Sequence, residues 1–145
     1  MRVLCVGFLV CVGCGGGSTE DAVDTQPDTG VFDLTREATT DGGSWMLSYV
    51  PIPDPIPPVD NFELLLTLKD AATGELLPGA EIEVVVGMPA HNHYMNTTPV
   101  VSDAGDGSYP VVGMQFHMSG HWQMDARVVL DERVENAVFH MMCCE

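Results

Sequence analysis

The strongest constraint on the fold is a regular alternation of apolar side chains near the C-terminal end of the chain. Between residues 122 and 130 every second side chain is apolar: Trp122, Met124, Ala126, Val128 and Leu130. A period of two is the repeat of a β-strand, whose side chains point to opposite faces in turn. The alternation therefore predicts a long strand with one buried face, and Trp122 is expected in the core.

Shorter runs of branched and aromatic residues predict further strands. These runs span residues 45–50, 62–69, 80–86, 99–102, 108–114 and 134–142. Turn-forming residues separate them, among them the proline-rich residues 51–58 and the glycine-containing residues 70–74. No segment shows a helical period. Many short strands with turns between them predict an all-β fold, an antiparallel β-sandwich of about seven strands.

The first residues have the features of an export signal. Arg2 supplies a positive charge, residues 3–12 are almost all apolar, and small residues precede Cys14. These features are typical of a secretory signal peptide. The end at Cys14, before three glycines and a serine, resembles a bacterial lipoprotein signal, in which that cysteine receives the lipid. We expect a signal peptide at residues 1–13 and an exported, membrane-anchored lipoprotein of a bacterial cell envelope. A plain signal peptide cleaved nearby is the alternative.

Residues 14–43 are predicted to form a disordered acidic linker before a single domain at residues 44–145. From residue 18 the linker is rich in Asp, Glu, Thr and Gly, and it has too few large apolar groups to offset its ordering entropy. The whole chain carries a net charge of −16 with only 5 Lys and Arg residues. This charge argues against a nucleic-acid partner, because phosphates need a basic surface. Anionic lipids would also repel this acidic protein, so membrane attachment is expected through the lipid on Cys14.

The cysteines give no disulfide framework. Three of the five lie within the first 14 residues, so only Cys143 and Cys144 remain in the domain. Adjacent cysteines cannot build a long-range framework. The tail at residues 140–145 also contains one histidine and two methionines. A vicinal disulfide and a metal-acquiring arm are alternatives, but the pattern favours a last strand that ends in apolar residues.

The first candidate site is the segment at residues 88–95, which is rich in histidine and methionine. His91, His93 and Met95 are two residues apart, so in an extended segment they point the same way. Imidazole and thioether together suit copper, and the thioether favours Cu(I). The alternative is a polar loop whose histidines form local hydrogen bonds while Met88 covers the core.

A second segment of this kind lies before and within the long C-terminal strand. Phe116 and Trp122 are expected in the core. Met118 precedes a glycine bend and could face the first segment. His117 and His121 are the polar members, but the sequence does not fix their direction.

The two segments are expected at the same end of the sandwich, because loops of a Greek-key sandwich can cluster at one pole. The predicted copper ligands are His91, His93, Met95 and Met118, with Met88 as an alternate ligand. This set suits copper better than zinc, which prefers Cys, His and carboxylate.

From residue 45 to its end the chain resembles the YtkA-like domain family, which is related to the FixH group. The residues that carry the resemblance are, in order, Asn61, Phe62, Asp70, Thr73, Gly74, Pro78, Gly79, Ala80, Met88, Pro89, His91, His93, Gly105, Asp106, Gly107, Ser108, Tyr109, Phe116, Met118, Gly120 and Trp122. The resemblance implies an immunoglobulin-like sandwich and a loose link to copper handling and oxidase assembly. A FixH protein would also carry a membrane helix, and this sequence shows none.

The sequence has no motif for a serine nucleophile, a phosphate-binding glycine loop or a zinc protease helix. No enzymatic activity is therefore expected, and two functions remain. One is a copper-binding or copper-delivery lipoprotein, whose partners would be the membrane and a copper-recipient protein. The other is a metal-free immunoglobulin-like envelope module for partner binding or assembly. Loss of copper binding on removal of His91 and His93 would separate them.

Overall fold

The computed structural model describes residues 31–144, which form nine β-strands and one short 3-10 helix. The strands are β1 (Glu37–Thr39), β2 (Trp45–Ile52), β3 (Asn61–Asp70), β4 (Glu81–Met88), β5 (His93–Tyr94), β6 (Val100–Val101), β7 (Ser108–Gln115), β8 (Gly120–Leu130) and β9 (Arg133–Cys143). The 3-10 helix, Pro89–His91, lies between β4 and β5. None of the helical structure within residues 31–144 is long and apolar enough to cross a membrane.

The strands form two antiparallel sheets that pack face to face. One sheet has the order β1-β2-β3-β7-β6, and the other has the order β5-β4-β8-β9. The seven strands predicted from the sequence are all present, and they make the predicted all-β antiparallel sandwich. The short strands β1 and β5 are additional. They have only three and two residues, so no period could have revealed them.

The core lies between the sheets and extends to one pole of the sandwich. Trp122, on β8, has no exposed surface, which confirms the phase predicted for that strand. Its indole stacks on the ring of Phe116, with centroids 4.6 Å apart and planes 6° apart. Phe62 of β3 meets Phe116 edge-on, with centroids 5.0 Å apart. This aromatic group closes the core where β7 passes into β8.

The ordered domain begins earlier than the predicted boundary at residue 44. Strand β1 pairs with β2, and Glu37 lies opposite Ser48. Thr40 is buried, and its hydroxyl donates a hydrogen bond to the carboxylate of Glu135. Pairing with a neighbouring strand and a buried polar contact thus order a segment whose composition alone predicts a linker. The rest of that linker, residues 14–30, and the predicted signal at residues 1–13 lie outside the described residues.

Candidate metal-binding site

The first histidine segment forms a tight connection between β4 and β5 at the pole. Strand β4 ends at Met88, the 3-10 helix follows, and Asn92 reverses the chain with a left-handed backbone (φ 49°). Met88 then pairs with His93, and Gly87 pairs with Tyr94. A Cβ at Gly87 would lie 2.9 Å from the carbonyl oxygen of His93, so glycine allows this close approach. Because residues paired across two strands share a face, His93 lies on the same face as the buried Met88.

The two histidine segments meet at this pole over the indole of Trp122. The ring centroids of His93 and His117 are 5.3 Å apart, with planes inclined by 36°. Both imidazoles meet the indole edge-on, at 6.1 Å for His93 and 5.3 Å for His117. The indole Nε1 donates a hydrogen bond of 3.1 Å to the carbonyl oxygen of Met118, which fixes the loop that carries His117. The buried tryptophan is therefore the platform on which the two histidines are held together.

Each of these two imidazoles has one buried nitrogen without a hydrogen-bond partner among residues 31–144. The atoms are Nε2 of His93 and Nδ1 of His117. A buried polar atom without a partner costs about 1–3 kcal/mol, so such atoms often mark an absent ligand or ion. A cation bound by both nitrogens would remove this cost.

The other predicted ligands lie at different depths around the histidine pair. His91 is exposed at the rim, with its ring centroid 5.7 Å from that of His93. Met118 is 40% exposed. Met88 is buried, and its Cε lies 3.2 Å from the position that a Cβ at Gly120 would take. The pole therefore holds three imidazoles, with one thioether below them and one at the surface.

Met95 is set apart from this group. It is buried in the hydrophobic core, and its backbone N–H donates a 3.1 Å hydrogen bond to the carbonyl of Val86. Val86 precedes Met88 by two positions on β4, so Met95 lies deeper than His93. This position favours a packing role for Met95 over the predicted ligand role.

His117 is the residue that the predicted ligand set leaves out. Its direction depends on the packing of Phe116 and Trp122, and no local period covers the loop between β7 and β8. The structure brings His117 to His93, whereas His121 is directed away from this pair, towards β9.

The donor set limits the kind of metal that could be held. Within residues 31–144, no group of three or more His, Cys, Asp or Glu side chains is arranged to hold a metal ion. A site at this pole would therefore combine the two imidazoles with a thioether. Such a mixed set fits a soft cation better than zinc.

Comparison with known families gives one match. The sequence model of the YtkA-like family matches residues 51–127, more than half of the 145-residue chain. Comparison with curated proteins and with solved structures gave no match. The matched residues run from the end of β2 into β8 and include the first histidine segment and His117.

Proposed function

This chain belongs to the YtkA-like family, and we propose that it is a copper-binding protein that delivers copper in the bacterial cell envelope. The proposed ligands are Nε2 of His93 and Nδ1 of His117, joined by a thioether from Met88 or Met118. His91, at the rim, would take part in loading and release. Met95 would support the site by packing beneath it.

The observation that carries this proposal is the pair of buried nitrogens without partners on adjacent rings. A histidine that only packs in a core usually has both ring nitrogens hydrogen-bonded or one exposed to water. Two such exceptions on neighbouring rings are accounted for together by a bound cation. Nearby thioether sulfur makes Cu(I) the preferred cation, because thioether ligands select soft metals.

Exposure at the rim supports a role in transfer rather than permanent storage. His91 and Met118 are both exposed, so they can reach a metal held by a partner before the deeper pair does. The net charge of −16 would raise the local concentration of cations. A lipid on Cys14 would hold the domain at the membrane, where a copper-recipient protein would be the partner.

A competition titration with a chromophoric Cu(I) chelator tests the proposal. The double variant His93→Ala, His117→Ala should lose affinity for one copper by at least about 100-fold, the upper end of what losing the groups that support a metal site costs. The matched control is Val85→Ala, Val138→Ala, which truncates two exposed side chains on the outer face of the same sheet and touches neither histidine pair. Circular dichroism checks that both variants remain folded.

A parent-like affinity in the first variant, with the fold retained, would contradict the proposed copper site. The metal-free envelope module predicts no difference in copper binding between this variant and the parent, because it assigns no metal to the pole. It further predicts that the parent protein itself holds no copper at the pole.

A further inference from the structure

A second histidine pair lies on the outer face of the β8–β9 hairpin, opposite Trp122. Nε2 of His121 and Nδ1 of His140 are 3.0 Å apart, and the ring centroids are 5.1 Å apart. One of the two nitrogens must carry the proton of this hydrogen bond. The first site uses neither of these residues.

The strand register places a thioether on the same face as this pair. His121 lies opposite Met142, and Gln123 lies opposite His140. Residues paired across two strands share a face, and so do residues two apart along a strand. His121, His140 and Met142 therefore occupy one face, and Met142 is 40% exposed there.

A groove beside the pair gives access to two of these three residues, His140 and Met142. It has a volume of about 240 Å³, and His140, Met142 and Cys144 are among the residues that line it. Cys144 is joined to Cys143 in a disulfide, so its sulfur is not a thiolate ligand in this state. Arg36 also lines the groove, but its guanidinium is paired with Asp54 through hydrogen bonds of 2.5 and 2.8 Å.

The surroundings favour a cation and shield it from water. The ring of Phe32 stacks on His121 with centroids 3.6 Å apart, and it lies 5.1 Å from His140. Asp33 follows Phe32; its Oδ1 accepts a 3.0 Å hydrogen bond from the backbone N–H of Thr35, and its carboxylate lies close enough to His140 for a coulombic interaction. A carboxylate that remains charged near His140 offsets the charge of a bound cation.

We propose that His121, His140 and Met142 form a second binding site for a soft monovalent cation, Cu(I), under the ring of Phe32. The metal would replace the hydrogen bond between the rings. The bridging proton moves to the other nitrogen of its own ring, so binding needs no net release of a proton. Two imidazole nitrogens and one thioether sulfur form a three-ligand set of the type that selects Cu(I) over harder metals.

The number of Cu(I) ions bound per chain separates this site from the one at the pole. Titration of the full chain against a chromophoric chelator should show one Cu(I) fewer in the variant His121→Ala, His140→Ala. The variant His93→Ala, His117→Ala should lose a different one. Every variant keeps the same cysteines, so any copper bound by sulfur of cysteine is common to all of them.

A second variant keeps the test decisive if the histidine changes disturb the hairpin. Met142→Leu conserves volume at an exposed position, and it should weaken one of the two copper ions by about tenfold or more. Met118→Leu is the matched control and should leave this ion unaffected.

An unchanged copper count in His121→Ala, His140→Ala would overturn the second site, whatever the pole site binds. So would parent-like binding in Met142→Leu. If instead the copper count falls only in the His121 and His140 variant, this site stands and the proposed function of the pole fails.

Discussion

The imidazole rings of His93 and His117 lie with their centroids 5.3 Å apart at the pole of the sandwich, and each ring has one buried nitrogen without a partner among residues 31–144. His93 comes from a two-residue edge strand, and His117 comes from the loop that crosses from one sheet to the other. Their approach is thus a product of the fold rather than of local sequence. Trp122 is the residue that connects them, because both rings meet its indole.

Trp122→Ala should lower the free energy of unfolding by about 3–5 kcal/mol, the usual cost of truncating a fully buried aromatic side chain. The loss includes the stacking on Phe116 and the hydrogen bond to the carbonyl of Met118. Urea denaturation followed by circular dichroism measures it. Val85→Ala, at a position that is 52% exposed on β4, is the control and should change stability little. Equal losses in the two variants would show that the indole is not part of the core.

Sequence alone predicted the long strands and the burial of Trp122, because the alternation from residue 122 to residue 130 is a local property. It could not predict β1, whose three residues are ordered by pairing with β2. It also left the direction of His117 open, since a loop residue points where its neighbours pack. The contact between His121 and His140 depends on the register between β8 and β9, which no single strand specifies.

Thr40→Val should lower the free energy of unfolding by about 1–3 kcal/mol, because it leaves a buried carboxylate short of a hydrogen bond. Thr40 accepts a hydrogen bond from the backbone of Trp45 as well as donating to Glu135. Thermal unfolding measures the change. Thr39→Val is the control at the neighbouring exposed position. No difference between the variants would mean that the segment before residue 44 does not contribute to the domain.

The free energy of unfolding of the domain should also fall at acidic pH, and Glu135 is one cause. Burial opposes the charge of this carboxylate, but hydrogen bonds from Ser44 and Thr40 outweigh it and lower the pKa below the ordinary value of 4.5. A carboxyl group whose pKa is lower in the folded protein than in the unfolded chain stabilises the fold at pH values above its unfolded-state pKa. This contribution is lost as the pH falls through the pKa of the folded protein. Glu135→Gln should therefore flatten the fall in unfolding free energy below about pH 4.5. A parent-like acid profile in this variant would assign the acid sensitivity to other groups.

Cys14→Ser should release the protein from the membrane fraction of cells that express it, because the lipid on Cys14 would be its apolar anchor. Fractionation followed by immunoblotting measures the distribution. Cys5→Ser is the control within the apolar run of the same segment and should leave the protein in the membrane fraction. Continued membrane association of Cys14→Ser would remove the lipoprotein prediction.

The most direct test of the copper site is anomalous diffraction at the copper edge from crystals of the Cu(I)-loaded protein. We predict an anomalous peak within bonding distance of both Nε2 of His93 and Nδ1 of His117, with the sulfur of Met88 or Met118 beside it. A crystal saturated with copper that shows no peak between these two nitrogens would contradict the proposed function.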